Sequence, residues 1–159
     1  MPELPDLYVY TKNLKKYLLN KKITDVKTFA AKRINASSEA FISACKGSSF
    51  TGIEQNGKEI VFHLDNNNSF LVHLMLLGKF TIDKEHVNLS LFNKIASFYL
   101  DDNTVFSISD EQMYAKVELN PQKRNAPDAL SGEFNYPYFL SLVLGSSRKN
   151  IKSLLLNQK

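Results

Sequence analysis

Residues 58–76 read KEIVFHLDNNNSFLVHLML, and this stretch decides the fold class of the chain. Two apolar runs, residues 58–64 and 69–76, flank three consecutive asparagines. Valine, isoleucine and phenylalanine favour strands, and asparagine tolerates the left-handed backbone of a tight turn. The stretch therefore predicts two strands joined by a short turn.

More strands of this kind are expected between residues 48 and 119, where Asn-Gly and Asp-Asp-Asn turns break the apolar runs. The additional strands are predicted at residues 79–82, 97–100, 105–109 and 115–119. A succession of hairpins forms a meander, and we expect it to pack as a sandwich.

Helices are predicted on both sides of the strands. Leucines at helical spacing, Pro5 in the first turn, and Glu3 and Asp6 near the positive end of the dipole indicate a helix over residues 5–19. The other helices are expected from Ser37–Glu39 to Gly47, from Asn135 to Gly145, and from about residue 148 onward after Ser146 and Ser147.

The predicted fold class is α+β: a two-layer antiparallel β-sandwich with a flanking N-terminal helix, plus C-terminal helices of an incomplete second domain. The sandwich domain is expected at residues 1–120, a linker rich in turn residues at 121–132, and the incomplete domain at 133–159.

Composition excludes several classes of protein. The chain of 159 residues has the size of one ordinary domain, and no run of 18 apolar residues occurs in it. An acidic N-terminus argues against a signal peptide, so we expect a soluble, cytoplasmic protein. The single cysteine, Cys45, excludes an internal disulfide and a zinc site built from two thiolates.

Charge is distributed unevenly along the chain, whose formal net charge is +4. Residues 1–50 carry nine Lys/Arg and four acidic residues, residues 51–120 carry five and ten, and residues 121–159 carry six and two. Basic ends around an acidic middle suit a nucleic-acid binder that contacts phosphate with its flanks. Ordinary solvated surfaces would give the same pattern.

The opening Met1-Pro2-Glu3-Leu4-Pro5-Asp6 resembles the start of the formamidopyrimidine-DNA glycosylase / endonuclease VIII family nearly residue for residue. Five further motifs fall in the order of that family, and together they extend the resemblance over the whole chain. They are Asn56–Lys58, His73–Lys79, Ser109–Tyr114, Pro127–Ser131 and Asn150–Lys152.

Chemistry explains why such an enzyme would begin with proline. Once Met1 is removed, Pro2 presents a secondary amine. An α-amino group has a reference pKa of about 7.7–8.0, so a fraction of the Pro2 amines is unprotonated at neutral pH. Attack of this amine on C1′ of a damaged nucleotide gives an iminium, which makes the C2′ proton removable and allows strand cleavage by elimination. Glu3 is the adjacent carboxyl group that can move protons to the sugar or to the leaving base.

The resemblance implies roles for several other residues. A lysine at the position of Lys58 contacts the phosphate beside the lesion, and Leu76, Gln112 and Tyr114 correspond to wedges that fill the space left by a flipped base. Leu76 could equally belong to the core. The remaining DNA-binding candidates are Asn93, where the family has a histidine, and Met113, Arg148 and Lys152.

The chain also departs from the family pattern. Gln112, Met113 and Tyr114 stand where the best-known members have two arginines and a phenylalanine, and this resembles an endonuclease VIII-like branch. Oxidised pyrimidines are therefore expected as substrates rather than 8-oxoguanine. The family continues beyond Lys152 into further helices and usually a zinc or zincless finger, so the resemblance implies a chain cut within the helix–two-turn–helix domain.

The predicted function is base-excision repair by a bifunctional DNA glycosylase/AP lyase acting on double-stranded DNA that contains a damaged base or an abasic site. No cofactor is expected in this chain. The intact protein would bind zinc only if a zinc finger follows this chain. We expect no membrane partner, and a monomer or a dimer formed through the C-terminal helix. The alternatives are a non-catalytic DNA-binding or damage-sensing remnant and an interaction domain that binds no DNA.

Overall fold

The structure is a computed structural model that describes residues 2–84, 93–122, 127, 132–145 and 150–155. Residues 1–122 and residues 123–159 form two compact units. The helices of the first unit are α1 (Leu4–Leu18), a short 3-10 helix (Ala31–Arg33) and α2 (Ser38–Cys45). Its strands are β1 (Ile23–Thr28), β2 (Phe50–Asn56), β3 (Glu59–Leu64), β4 (Ser69–His73), β5 (Gly78–Lys84), β6 (Lys94–Leu100), β7 (Thr104–Asp110) and β8 (Lys116–Leu119).

The eight strands form two antiparallel sheets of four, ordered β1-β6-β7-β5 and β2-β3-β4-β8. Phe62 pairs with Phe70 across the β3–β4 hairpin of one sheet, and Phe98 pairs with Phe106 across β6–β7 of the other. The α+β class and the antiparallel sandwich predicted from the sequence are therefore confirmed.

Phenylalanine rings fill the space between the sheets. Phe62 stacks on Phe70 with ring centroids 4.7 Å apart, Phe70 on Phe98 at 5.0 Å, and Phe98 on Phe106 at 5.5 Å. All four rings are fully buried. Phe62 and Phe70 belong to one sheet and Phe98 and Phe106 to the other, so the contact of Phe70 with Phe98 joins the two layers into one core.

Helices α1 and α2 cover parts of this sandwich. Helix α1 buries Leu7, Thr11, Leu14 and Leu18 and packs mainly against β2. Helix α2 begins at the N-cap Ser37, whose hydroxyl accepts the Ala40 N–H, and it packs against β1. Serine at the N-cap and Gly47 beyond the C-cap, at φ +87°, agree with the sequence prediction.

The predicted strand at residues 69–76 is too long, because β4 ends at His73. Residues 74–77 form a turn in which the Gly78 N–H donates to the Leu74 carbonyl at 2.9 Å. Strands β1 and β2 were not predicted. Strand β1 alternates irregularly between buried and exposed residues, and β2 contains Gly52 at a register shift, so neither gives a clear two-residue period.

The second unit contains α3 (Tyr136–Gly145) and α4 (Ile151–Leu155). The Asn135 side chain accepts the Tyr138 N–H at 3.0 Å, and the Asn150 side chain accepts the Ser153 N–H at 2.8 Å. Asparagine side chains therefore satisfy the first turn of both helices. The predicted cap at Ser146 and Ser147 lies outside the described residues. That this unit begins a DNA-binding domain stays a prediction.

Candidate active site and the neighbouring loops

The first candidate residues, Pro2 and Glu3, precede α1 directly. Glu3 is the N-cap residue, with extended backbone angles, and its N–H donates to the Asp6 carboxylate at 2.9 Å. Pro5 lies in the first turn, where its missing N–H leaves no helical hydrogen bond unmade. These local interactions hold Pro2 and Glu3 at the start of α1.

Lys58 follows the turn between β2 and β3, where Gly57 takes φ +57°. The Lys58 Nζ lies 3.0 Å from Glu3 Oε2, and both side chains stay accessible, with exposed fractions of 41% and 57%. Pro2 and Lys58 also line one small cleft with Leu7, His73, Leu74 and Met75. The structure therefore brings together all three residues predicted to be catalytic.

The turn after β4 forms one wall of this cleft. The Met75 N–H donates to His73 Nδ1 at 3.0 Å, so the neutral His73 ring carries its proton on Nε2. Met75 adopts φ +56°, an unusual conformation for a residue with a side chain. A Cβ on Gly78 would lie 2.2 Å from the Leu74 carbonyl oxygen, so this turn requires glycine at Gly78.

Leu76 projects from the same turn and is 50% exposed. The core position considered for it from the sequence is therefore wrong. Leu77 beside it is exposed as well. An accessible leucine on a tight turn fits a wedge that enters a DNA helix, and this role stays a prediction.

A second turn, residues 110–115, carries the other predicted wedges and is organised by the buried carboxylate of Asp110. Asp110 Oδ1 accepts the Gln112 N–H at 2.9 Å, while Oδ2 accepts the N–H groups of Tyr114 and Ala115 at 2.8 and 2.7 Å. Met113 adopts φ +56° here. The carboxylate satisfies three backbone donors and so fixes the shape of the turn.

The side chains of this second turn differ in exposure. Gln112 is exposed, Tyr114 is 49% exposed, and Met113 is half-buried against the hydrophobic core. The Arg33 guanidinium lies 5.8 Å from the centre of the Tyr114 ring, within the range of a cation–π interaction. Gln112 and Tyr114 are therefore available to a ligand, whereas Met113 contributes mainly to packing.

The two turns lie at the same end of the sheet, because Gly78 and Asp110 are paired residues of β5 and β7. Lys79 and Glu111 join them again through an ion pair of 3.1 Å. The carbonyl of Asn93, which stands just before β6, accepts the Asp110 N–H at 2.9 Å. Leu76, Asn93 and the segment 112–114 thus come from three segments that meet at Asp110.

The remaining candidates belong to the second unit. Lys152 is an exposed residue of α4, and Arg148 lies outside the described residues. Their relation to the cleft at Pro2 stays a prediction.

Sequence reasoning missed the residues that hold the site in place. Asp110 was noted only as part of a motif, although an acidic residue that ends an apolar strand and precedes a turn is a recognisable signal for side-chain bonding to backbone N–H groups. Arg33, which lies over the Tyr114 ring, and Gln55, whose side-chain Nε2 donates to the Leu4 carbonyl, gave no such signal. Their contacts join residues far apart in the sequence, so only the folded chain shows them.

Two other kinds of chemistry find no support among the described residues. Burial raises the pKa of the Cys45 thiol to about 12, so this cysteine is a poor nucleophile and metal ligand. Across residues 2–84, 93–122 and the described parts of the second unit, no three His, Cys, Asp or Glu side chains cluster as metal ligands would. In the same residues, no helix has the length and apolar character needed to cross a membrane.

Comparison with known proteins agrees with the fold. Residues 1–117 match the family model described as the formamidopyrimidine-DNA glycosylase N-terminal domain. The chain therefore belongs to the formamidopyrimidine-DNA glycosylase family, and the resemblance seen in its opening motif is confirmed.

Curated relatives carry the name formamidopyrimidine-DNA glycosylase. Those of Mycoplasma genitalium and Mycoplasma pneumoniae are each 28% identical to this chain and match 99% of it. The chain spans 58% and 60% of the lengths of these two relatives.

Solved structures of the Lactococcus lactis glycosylase share the fold. One, bound non-covalently to DNA with an abasic site, matches 88% of this chain and 49% of its own, with a TM-score of 0.69 and 18% identity. Another, in complex with DNA containing Fapy-dG, matches 87% and 48%, with a TM-score of 0.70 and 19% identity.

Proposed function

We propose that this chain is the catalytic part of a DNA glycosylase/AP lyase that excises oxidised bases through a Schiff base on Pro2. One observation carries the proposal: Pro2 and Lys58 line the same small cleft, and the accessible Lys58 ammonium lies 3.0 Å from the Glu3 carboxylate. A nucleophile, an acid and a phosphate-binding cation are the groups that this reaction needs.

In the proposed reaction, the unprotonated Pro2 amine attacks C1′ of the damaged nucleotide. The bond from C1′ to the base breaks, and Glu3 delivers a proton toward the departing base or the ring oxygen of the sugar. Opening of the sugar leaves an iminium between Pro2 and C1′. Loss of the C2′ proton then expels the 3′ phosphate, and hydrolysis of the iminium releases the amine.

Lys58 is proposed to bind the phosphate next to the damaged nucleotide. Its ammonium group is accessible and stands beside Glu3, so one phosphate can be held close to both catalytic groups. Fixing the substrate in this way converts a bimolecular attack into a reaction between neighbouring groups.

The exposed side chains on the two turns are proposed to occupy the space of the extruded nucleotide. Leu76 and Tyr114 are the accessible apolar candidates, and Gln112 supplies a neutral amide for the opposite strand. Asn93, Arg148 and Lys152 complete the proposed DNA-binding set, in which Met113 takes part through its packing against the core. The resemblance of Gln112-Met113-Tyr114 to the endonuclease VIII-like branch favours oxidised pyrimidines as the substrate class.

The proposed function also bears on cofactors and on the C-terminal part of the chain. The chemistry needs no cofactor within the chain, and zinc would serve only a finger outside it. Residues 121–132 are proposed as a linker, with the helices of residues 133–159 acting as part of the DNA-binding surface.

Trapping with borohydride tests the proposal, because reduction turns a Schiff base into a stable covalent bond. We expect the chain with a free Pro2 amine to become linked to duplex DNA containing an abasic site at low salt. A chain that retains Met1 is the matched control, since its proline nitrogen is acylated and should not react. Pro2→Gly should strongly reduce trapping.

Salt-sensitive DNA binding without trapping would contradict the catalytic proposal and support a damage-sensing remnant instead. Absence of binding at low salt would favour an interaction domain that does not bind DNA. Equal trapping with and without Met1 would show that another amine is the nucleophile.

A further inference from the structure

Gln55 connects the two backbone segments that carry the candidate catalytic residues. Gln55 is half-buried and is the second-to-last residue of β2. Its side-chain Nε2 donates to the Leu4 carbonyl at 3.3 Å and to the Gly57 carbonyl at 3.1 Å. Leu4 follows Glu3, and Gly57 precedes Lys58, so one amide group bridges the start of α1 and the β2–β3 turn.

The Lys58–Glu3 ion pair also joins these segments, and it is exposed. Such pairs contribute little to stability and are weakened by salt. This pair must also loosen when Lys58 turns to a phosphate. The bonds of Gln55 join backbone carbonyls and involve no net charge, so they can persist while Lys58 binds DNA.

The chemistry of the contact favours glutamine at this position. Both partners are carbonyl oxygens, so the side chain must present two N–H donors, and a side-chain amide nitrogen has two. An ionised glutamate has none, and asparagine is shorter by one methylene group. We propose that Gln55 is a positioning residue, which fixes the Pro2 amine relative to Lys58 for attack on C1′.

This inference rests on the proposed function, and it predicts a particular kinetic effect. Displacement of a nucleophile by about 1 Å can slow an enzymatic reaction by about 100-fold without a change in its chemistry. Loss of the Gln55 bonds should therefore lower the rate of Schiff-base formation at saturating DNA. Affinity for DNA should change little, since Gln55 itself is not expected to contact DNA.

Gln55→Met removes both donors at nearly constant side-chain length. We expect it to lower the borohydride trapping rate at saturating abasic-site DNA by about tenfold or more, with the half-saturating DNA concentration changed by less than about twofold. Reductive methylation of the Pro2 amine by formaldehyde, without DNA, should proceed as in the unmodified sequence. This second readout reports the amine's own reactivity.

Asn66→Leu is the matched control. Asn66 Nδ2 donates to the Ala44 carbonyl at 2.8 Å, a side-chain amide bond of the same kind, at the opposite end of β3 from Lys58. Its loss should leave the trapping rate unchanged. Gln55→Asn is a second variant for the case in which methionine disturbs folding, and the same slow trapping is expected because the shorter amide cannot reach both carbonyls.

The outcomes separate the two proposals. If the parent chain with free Pro2 does not trap, the proposed function fails and this inference fails with it. If the parent chain is trapped on abasic-site DNA and both Gln55 variants are trapped as fast as the parent, only the positioning role is overturned. A variant that weakens DNA binding but keeps the saturated rate would also overturn it, and so would an equal slowing by Asn66→Leu.

Discussion

At the scale of single residues, Lys58 is the candidate whose charge is best placed to act on a ligand. Its ammonium group is 41% exposed, and the Glu3 carboxylate is its partner at 3.0 Å. Exposed pairs of this kind contribute about 0–1 kcal/mol to folding. The pair therefore contributes little to stability, and Lys58 can leave Glu3 at small cost for the phosphate contact proposed for it.

Lys58→Ala should leave the free energy of unfolding within about 1 kcal/mol of the parent value. It should also remove one phosphate contact. The fall of log affinity with log salt concentration should then be less steep, by about 0.9 in the slope. Denaturant unfolding and DNA binding at several salt concentrations measure the two effects. Lys46→Ala is the control, because Lys46 forms a comparable exposed pair with Asp25 at 2.8 Å. An unchanged salt slope in Lys58→Ala would contradict the phosphate contact.

At the scale of elements, the turn at residues 110–115 depends on one carboxylate. Asp110 is fully buried, and its two oxygens accept three backbone N–H groups. The side-chain amide of asparagine offers only one acceptor oxygen, so at least one of these donors would lose its partner in Asp110→Asn. The same change would place an amide NH₂ group, itself a donor, against backbone N–H groups that now donate to Oδ1 or Oδ2.

Asp110→Asn should lower the free energy of unfolding by about 1–3 kcal/mol, since a buried donor without an acceptor is costly. Amide exchange at Gln112, Tyr114 and Ala115 should accelerate more than exchange in β3. The control is Asp101→Asn in the exposed turn after β6, for which little change is expected. Unaltered exchange at residues 112–115 would show that other contacts hold the turn.

A second contact between elements gives a pH dependence. Asp102 follows β6, and the Lys21 ammonium, by hydrogen bonding to this carboxylate, lowers its pKa to about 2. The folded pKa lies below the unfolded value of 3.8. This group therefore stabilises the fold above about pH 4, and its contribution is lost as the pH falls toward 2.

Asp102→Asn should remove this part of the acid sensitivity. Between pH 5 and pH 2, we expect the variant to lose less unfolding free energy than the parent chain, by up to about 1 kcal/mol because the pair is partly exposed. Denaturant titrations at several pH values give the comparison. Parallel stability curves for the two proteins would contradict the role of Asp102.

At the scale of the whole molecule, apolar surface on α3 suggests how copies of the chain behave in solution. Tyr136, Leu140 and Leu144 lie four residues apart on one helical face, with exposed fractions of 73%, 37% and 69%. Residues at this spacing neighbour each other on a helix. Clustered apolar groups on a surface favour association.

Leu144→Lys should therefore reduce self-association of the 159-residue chain. Size-exclusion chromatography over a range of concentrations should show a larger species that dissociates on dilution in the parent and forms less readily in the variant. Leu142→Lys is the control, because Leu142 is 40% exposed and lies on the other side of the helix. A parent chain that stays monomeric at every concentration would contradict the expectation.

The sequence by itself determined the kinds of element and the family. Helical leucine spacing, asparagine turns and apolar runs are local patterns, and they predicted α1, α2 and six strands with small errors at their ends. The opening Pro2-Glu3 and the later Lys58 were assigned as candidates from motifs alone. Local rules suffice for these because backbone preference and turn chemistry act over a few residues.

Only the tertiary structure decided which segments meet. Strand β1 has a polar, irregular pattern, and its place beside β6 follows from pairing that includes Val26 with Phe98. Likewise, Gln55 reaches Leu4, and Asp110 gathers the turns of Leu76 and Tyr114. These contacts join residues distant along the chain. They depend on burying both inner sheet faces and on satisfying buried polar groups, conditions that no local sequence pattern expresses.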